Sequence, residues 1–196
     1  MKICLVRHGE TEWNVRGILQ GARDIPLNET GRAQAARTGQ VLSVLKWDRV
    51  FTSHLSRAYD TGAAIAAACG LPAPTRVPNV QERDFGIYDG APGRGEGAPT
   101  GAMMAAEPTV ETRQATADRM EAALLKLCGE HYGRDIVLVS HGGALGNLLS
   151  RLFGPACTGS LTNCCISLIE YREGRFHALD LNMSQDAFEE KYCNHN

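Results

Sequence analysis

The stretch that most restricts this chain comes first: after Met1-Lys2, Ile3-Cys-Leu-Val6 forms an unbroken apolar run that stops at Arg7-His8-Gly9. A strand with one wet face alternates apolar and polar residues. A run with no polar position reads as a strand buried on both faces, as in a mostly parallel sheet between helices. A second such run, Ile136–Val139, ends at Ser140-His141-Gly142-Gly143. Open α/β sheets take their ligands at the carboxyl ends of strands, so both strand ends are addresses for chemistry. Arg7 offers a planar fork of donors that fits phosphate, and His8 a nitrogen that titrates near neutral pH. Gly9 lets the backbone approach a ligand closely.

The remaining elements follow in order. Residues 9–29, rich in Gly, Asn and Asp, read as a long irregular loop, and such a length without its own structure points to function. Thr30 caps a predicted helix over 31–45 that faces inward through Ala35, Leu42 and Leu45. Arg49–Thr52 is a short strand, and Ser56 is the expected N-cap of a helix over 57–69. That helix would carry Arg57 in its first turn, where a cation is disfavoured unless an anion sits there too. A short extended piece over 75–81 is bounded by Pro72, Pro74 and Pro78, and Glu82 follows in a loop. Residues 90–108 hold five glycines and three prolines and read as a mobile excursion without sustained regular structure. A helix over 110–131 has a core stripe at Ala117, Met120, Leu124 and Leu127, and another over 143–153 buries Leu145, Leu148, Leu149 and Leu152. Strands over 164–171 and 175–181 flank the turn Glu173-Gly174 as a hairpin, and the polar tail from Asn182 is expected to fray. The whole of 1–196 is expected to be one domain, an α/β/α sandwich of three layers with a mostly parallel central sheet that leaves room for one antiparallel edge.

Composition narrows the function classes. A net charge of −2 argues against non-specific nucleic-acid binding and against a membrane-surface role. No apolar run approaches the ~20 residues of a membrane span, and no signal-peptide pattern opens the chain. The seven cysteines are odd in number, with no Cys-x-x-Cys pair. Cys4, Cys69, Cys128, Cys164 and Cys165 lie in apolar stretches as small hydrophobes, so a reducing cytoplasm is the expected setting. His54, His131, His177 and His195 sit in no motif, and no spacing implies a metal. Arginines outnumber lysines 16 to 4, a mild bias toward bidentate phosphate recognition.

The string Leu5-Val-Arg-His-Gly-Glu-Thr-Glu-Trp-Asn14 resembles the opening signature of the histidine phosphatase superfamily, the phosphoglycerate-mutase-like enzymes. The resemblance continues in Gln20-Gly21, in Asp24–Gly31, in Thr52–Thr61, in Glu82-Arg-Asp-Phe-Gly86 and in Ser140–Gly143. It implies the phosphoglycerate-mutase-like fold, no metal or other cofactor, and a small phosphomonoester as substrate. By resemblance, His8 becomes phosphorylated, Glu82 donates a proton to the leaving group and then activates water, and His141 contacts the phosphoryl group. Arg7, Arg57, Asn14 and His141 are suited to hold phosphoryl oxygens by charge-assisted bonds. Gly142, Thr11, Ser53, Gln20 and Gly21 are further candidates near the phosphate. Asp84 and Asp89 lie close to Glu82 in sequence, and Glu82 is preferred because the family's acid precedes the Asp-Phe-Gly-like stretch.

A metal-independent phosphatase acting through phosphohistidine is the leading expectation. Phosphoglycerate mutase is the alternative, although family mutases are longer, and a non-catalytic binder of phosphorylated ligands is a third. Sugar phosphates, nucleotide-like esters and α-ribazole phosphate all remain open as substrates, and so does the oligomeric state.

Overall fold

The opening apolar run lies inside a six-stranded sheet. A computed structural model describes residues 1–155 and 160–193. Among the described residues the strands are β1 (Lys2–Arg7), β2 (Arg49–Thr52), β3 (Thr75–Arg76), β4 (Ile136–Ser140), β5 (Ile166–Arg172) and β6 (Arg175–Met183). The helices are α1 (Glu12–Val15), α2 (Glu29–Leu42), α3 (Ser56–Ala68), α4 (Gly101–Ala106), α5 (Arg113–Glu130), α6 (Gly142–Phe153) and α7 (Gln185–Tyr192). Strand order is β3-β2-β4-β1-β5-β6. The first four pair in parallel, and β5 joins β1 and β6 antiparallel as one arm of the expected hairpin.

Two-sided burial accounts for the sequence of β1. Ile3 and Leu5 pack with Ile136 and Leu138 of β4 against Met120 and Leu124 of α5 and Leu145 and Leu148 of α6. Cys4 and Val6 point the other way, with Val137 and Val139, onto α2, α3 and Phe188 of α7. Helices thus cover both faces, and polar residues have no place in the middle of either strand.

Several boundaries differ from expectation for local reasons. Helix α2 starts earlier, because Asn28 rather than Thr30 caps it: its side chain accepts from the Gly31 N–H at 2.8 Å. The helix stops at Leu42, whose carbonyl takes the Trp47 indole N–H at 2.8 Å, so Leu45 packs from outside it. Ser56 opens α3 without capping it; Asp24 instead accepts from both the Ser56 N–H and hydroxyl at 2.8 Å. Strand β3 is only two residues long, since Pro78 cannot donate to a continuing ladder. The 9–29 segment is not wholly irregular: Thr11 and Asn14 close a capping box around α1. Likewise the 90–108 stretch contains α4, formed where Ala and Met replace Gly and Pro and where Thr100 caps Met103 N–H. The tail from Asn182 does not simply fray: α7 forms there, capped by Ser184 and anchored by the fully buried Phe188. His195 lies outside the described residues.

Candidate active site

Register brings the chemistry together. Val6 pairs with Val139, and Val139 with Thr52, so β1, β4 and β2 end at one level. His8 N–H donates to the Ser140 carbonyl at 3.0 Å and Ser53 N–H to that of Val139 at 3.1 Å. The His8 and His141 rings meet edge to face, with centroids 5.1 Å apart.

Hydrogen bonding gives these rings opposite tautomers. His8 Nδ1 lies 2.7 Å from the Gly9 carbonyl oxygen, which can only accept, so Nδ1 carries the hydrogen. In the neutral ring Nε2 is then a bare lone pair. His141 Nδ1 lies 3.2 Å from Arg57 Nε, which can only donate, so its hydrogen sits on Nε2. That Nε2 is buried without a protein partner, as is Arg7 Nε. His8 thus offers a bare ring nitrogen, while His141 Nε2 and Arg7 Nε are buried donors without a protein partner.

Both rings are held neutral. Burial pushes the His8 imidazole well below its ordinary 6.5, and the Arg7 and Arg57 charges lower it further. Burial likewise leads for His141, followed by Arg57, His8 and Arg7. An unfolded chain takes up protons at these rings near pH 6.5 while the folded protein resists, so stability is full above that pH and falls below it. Each ring contributes a slope of about 1.4 kcal/mol per pH unit until its lowered folded value is reached. Urea midpoints are expected to drop between about pH 6.5 and pH 5, less steeply in His8→Ala; parallel curves for the two proteins would contradict this origin.

Glu82 is anchored on the first turn of α6. Its Oε2 accepts from Gly143 N–H at 2.9 Å, and its Oε1 from Ala144 N–H and Arg83 N–H, each at 2.7 Å. A Cβ at position 143 would sit 2.7 Å from Glu82 Oε1, so a larger residue there would displace the carboxylate. Gly142 admits the Arg7 side chain, whose Nε would lie 3.1 Å from a Cβ at that position. Arg7 also donates through Nη1 to the Leu161 carbonyl.

These groups border a cavity of about 360 Å3 whose polar wall is Arg7, His8, Asn14, Gln20 and Glu82, with Gly142 at the helix start. Ile18, Leu19, Phe85 and Leu161 form the apolar side. Asn14 receives Thr11 N–H, Thr11 hydroxyl and Asn163 Nδ2, each 3.1 Å from Oδ1, which leaves its amide nitrogen for a cavity ligand. The arrangement suits a tetrahedral oxyanion facing an in-line nitrogen nucleophile.

Other candidates stand behind this wall. Arg57 is fully buried and spends its fork on His141 and on the carbonyls of Arg23 at 2.8 Å and Gly21 at 3.0 Å. It ties the 20–23 loop to His141. The Thr11 hydroxyl lies 3.1 Å from both Asn14 Oδ1 and Gln20 Oε1, alternative acceptors for its one hydrogen, and Ser53 accepts from Leu55 N–H. Gly21 is fixed by Asp89, which accepts its N–H at 2.8 Å, while Asp84 accepts from Gly86 N–H. Neither aspartate joins Glu82 at the cavity. Cys164 and Cys165 adjoin the site through their backbone, and burial pushes both thiols up to about 11, which keeps them protonated at neutral pH. Among the described residues no group of three or more His, Cys, Asp or Glu could hold a metal ion, and no helix is long and apolar enough to cross a membrane.

The family model described as histidine phosphatase superfamily (branch 1) matches residues 3–184. The chain belongs to the histidine phosphatase superfamily. It is 35% identical over 187 residues, 93% of this chain and 94% of the relative, to an uncharacterized phosphatase, PhoE, of Bacillus subtilis (strain 168). It is also 35% identical over 191 residues, 91% and 88% of the two chains, to the probable phosphoglycerate mutase GpmB of Salmonella choleraesuis (strain SC-B67). Among solved structures it resembles a mutant of phosphoserine phosphatase from Entamoeba histolytica in complex with phosphoserine. That likeness has a TM-score of 0.78 at 26% identity and covers 95% of this chain and 98% of that one.

In this member of the superfamily some contributors had no signal in the sequence. Asn163 donates to the His8 carbonyl at 3.0 Å as well as to Asn14, and Leu161 takes Arg7, yet neither lies in a motif. Thr61 closes the Thr52–Thr61 match, where spacing gives it no role; its hydroxyl oxygen accepts the Gly9 N–H at 3.0 Å.

Proposed function

We propose that this chain is a metal-independent phosphatase that hydrolyses a small phosphomonoester through phosphohistidine on His8 Nε2. The observation that carries the reading is the pair of opposed tautomers: His8 has a bare Nε2, and the His141 ring packed edge to face against it has an unpaired Nε2–H. Arg7, His141 Nε2–H and the Asn14 amide are donors for the non-bridging oxygens, which lets protein groups rather than a cation balance the phosphoryl charge. His8 Nε2 forms the bond to phosphorus as the bond to the leaving oxygen breaks, and protonated Glu82 gives its hydrogen to that oxygen. Water then attacks the phosphorus, the P–N bond breaks, and the Glu82 carboxylate takes the water's proton. His8 returns neutral with inorganic phosphate as product. Arg57 acts from behind, holding His141 in the tautomer that donates.

The phosphatase name of the Bacillus relative and the phosphoserine complex of the Entamoeba protein support hydrolysis of a small ester. The likeness to a probable phosphoglycerate mutase, at equal identity, keeps phosphoryl transfer between hydroxyls as the second reading. Aryl phosphate hydrolysis with excess chelator separates them: phosphate release at the rate seen without chelator is expected. No release, together with interconversion of 3- and 2-phosphoglycerate under a bisphosphate primer, would overturn the phosphatase reading in favour of the mutase.

A further inference from the structure

The tautomer of His8 depends on one carbonyl, that of Gly9, and a glycine has no side chain with which to fix its own peptides. Both flanking peptides are nevertheless held from outside. The His8–Gly9 peptide gives its N–H to Thr61 Oγ1 at 3.0 Å. The Thr61 hydroxyl hydrogen goes to the Arg57 carbonyl at 2.7 Å, so only its lone pairs can face Gly9. The Gly9–Glu10 peptide, whose oxygen takes the His8 hydrogen, gives its N–H to Gln34 Oε1 of α2 at 2.9 Å. Donation from that N–H polarises the same peptide and makes its carbonyl a better acceptor, by about 10–30% per bond in condensed-phase estimates. The backbone of α2 closes the third side, since a Cβ on Gly9 would lie 2.5 Å from the Gly31 oxygen.

We infer that Gln34 and Thr61 are positioning residues which, by clamping the two peptides around Gly9, hold His8 in the tautomer that leaves Nε2 free to attack. The inference rests on the phosphohistidine reading above. Neither residue borders the cavity, and each acts on the backbone around Gly9. Their place is that of the outer partners of a metal-bound imidazole, whose loss costs roughly 10- to 100-fold in affinity or activity.

The test compares the wild type with Thr61→Val, which keeps the branched shape but removes the hydroxyl, and with Gln34→Met on a different helix. Thr61→Ser serves as the conservative control. Two-bond 1H–15N correlation of the His8 ring reports which nitrogen bears the hydrogen, and steady-state hydrolysis of an aryl phosphate reports rate. The expected result is an Nδ1–H signature in wild type and Thr61→Ser and a mixed or Nε2–H signature in the other two. Their kcat is expected to fall about 10- to 100-fold with KM little changed. An unmoved signature in the variants, whether or not the rate falls, would overturn the inference, because a loss of rate alone reports general loosening. Should Thr61→Val fail to fold, Gln34→Met alone decides by the same criterion. A tautomer that moves in the variants while wild type forms no phosphohistidine would support the clamp and overturn only the catalytic reading it rests on.

Discussion

His8→Ala is expected to lower turnover by on the order of 10^4-fold or more, the scale seen when a covalent nucleophile is deleted from a triad enzyme. The donors that would hold the phosphoryl oxygens lie on Arg7, Asn14 and His141 and are left in place. Inorganic phosphate should therefore still bind, within a few-fold of wild type by titration calorimetry, and unfolding should remain cooperative. That combination separates loss of a nucleophile from loss of a site. Turnover within about ten-fold of wild type would remove His8 from the chemistry, and loss of phosphate binding alongside turnover would make it a binding residue instead.

Glu82→Gln carries the second large effect, and it depends on the leaving group. An alkyl phosphate needs a proton on its departing oxygen, so its hydrolysis should fall by about 10^2- to 10^4-fold. A nitrophenyl phosphate leaves without help, so its first step should survive. The second step, in which the carboxylate draws a proton from water, should still be slow. Rapid-quench kinetics on the nitrophenyl ester should then give a burst of nitrophenol close to one per enzyme, followed by slow turnover. Equal suppression of the burst and of alkyl ester hydrolysis would rule out the acid role. Glutamine also sets an N–H2 group against the Gly143 or Ala144 N–H at the start of α6, a mismatch costing about 1–3 kcal/mol, so the thermal midpoint belongs beside the kinetics.

What the sequence discloses and what it hides follow from physical range. Ile3–Val6 and Ile136–Val139 are legible because burial on both faces removes every polar residue from the run, and their endings point to His8 and His141. Glu82 is preferred over Asp84 and Asp89 only by resemblance; its anchoring on Gly143 and Ala144 spans more than 60 positions and leaves no local pattern. Arg57 in a first turn suggests a neighbouring anion, yet its fork is taken up by His141 and the carbonyls of the 20–23 loop. A full set of carbonyl acceptors is invisible in a sequence, since every residue has one. Helix α7 escapes for a different reason: one buried phenylalanine in a polar octet is too faint a stripe to read, though tertiary packing suffices to fold it. Asn163, Thr61 and Gln34 act on the backbone near His8, and side chains that grip a distant backbone follow no spacing rule.

The most direct measurement is the mass of the enzyme after mixing with substrate and quenching in base, where phosphohistidine survives and acyl phosphates do not. One added phosphoryl group on the peptide containing His8, lost on acid treatment and absent in His8→Ala, is the expected result. An enzyme that releases phosphate at full rate with no phosphoryl group ever trapped on that peptide, including under the Glu82→Gln conditions that should make it accumulate, would contradict a phosphohistidine pathway.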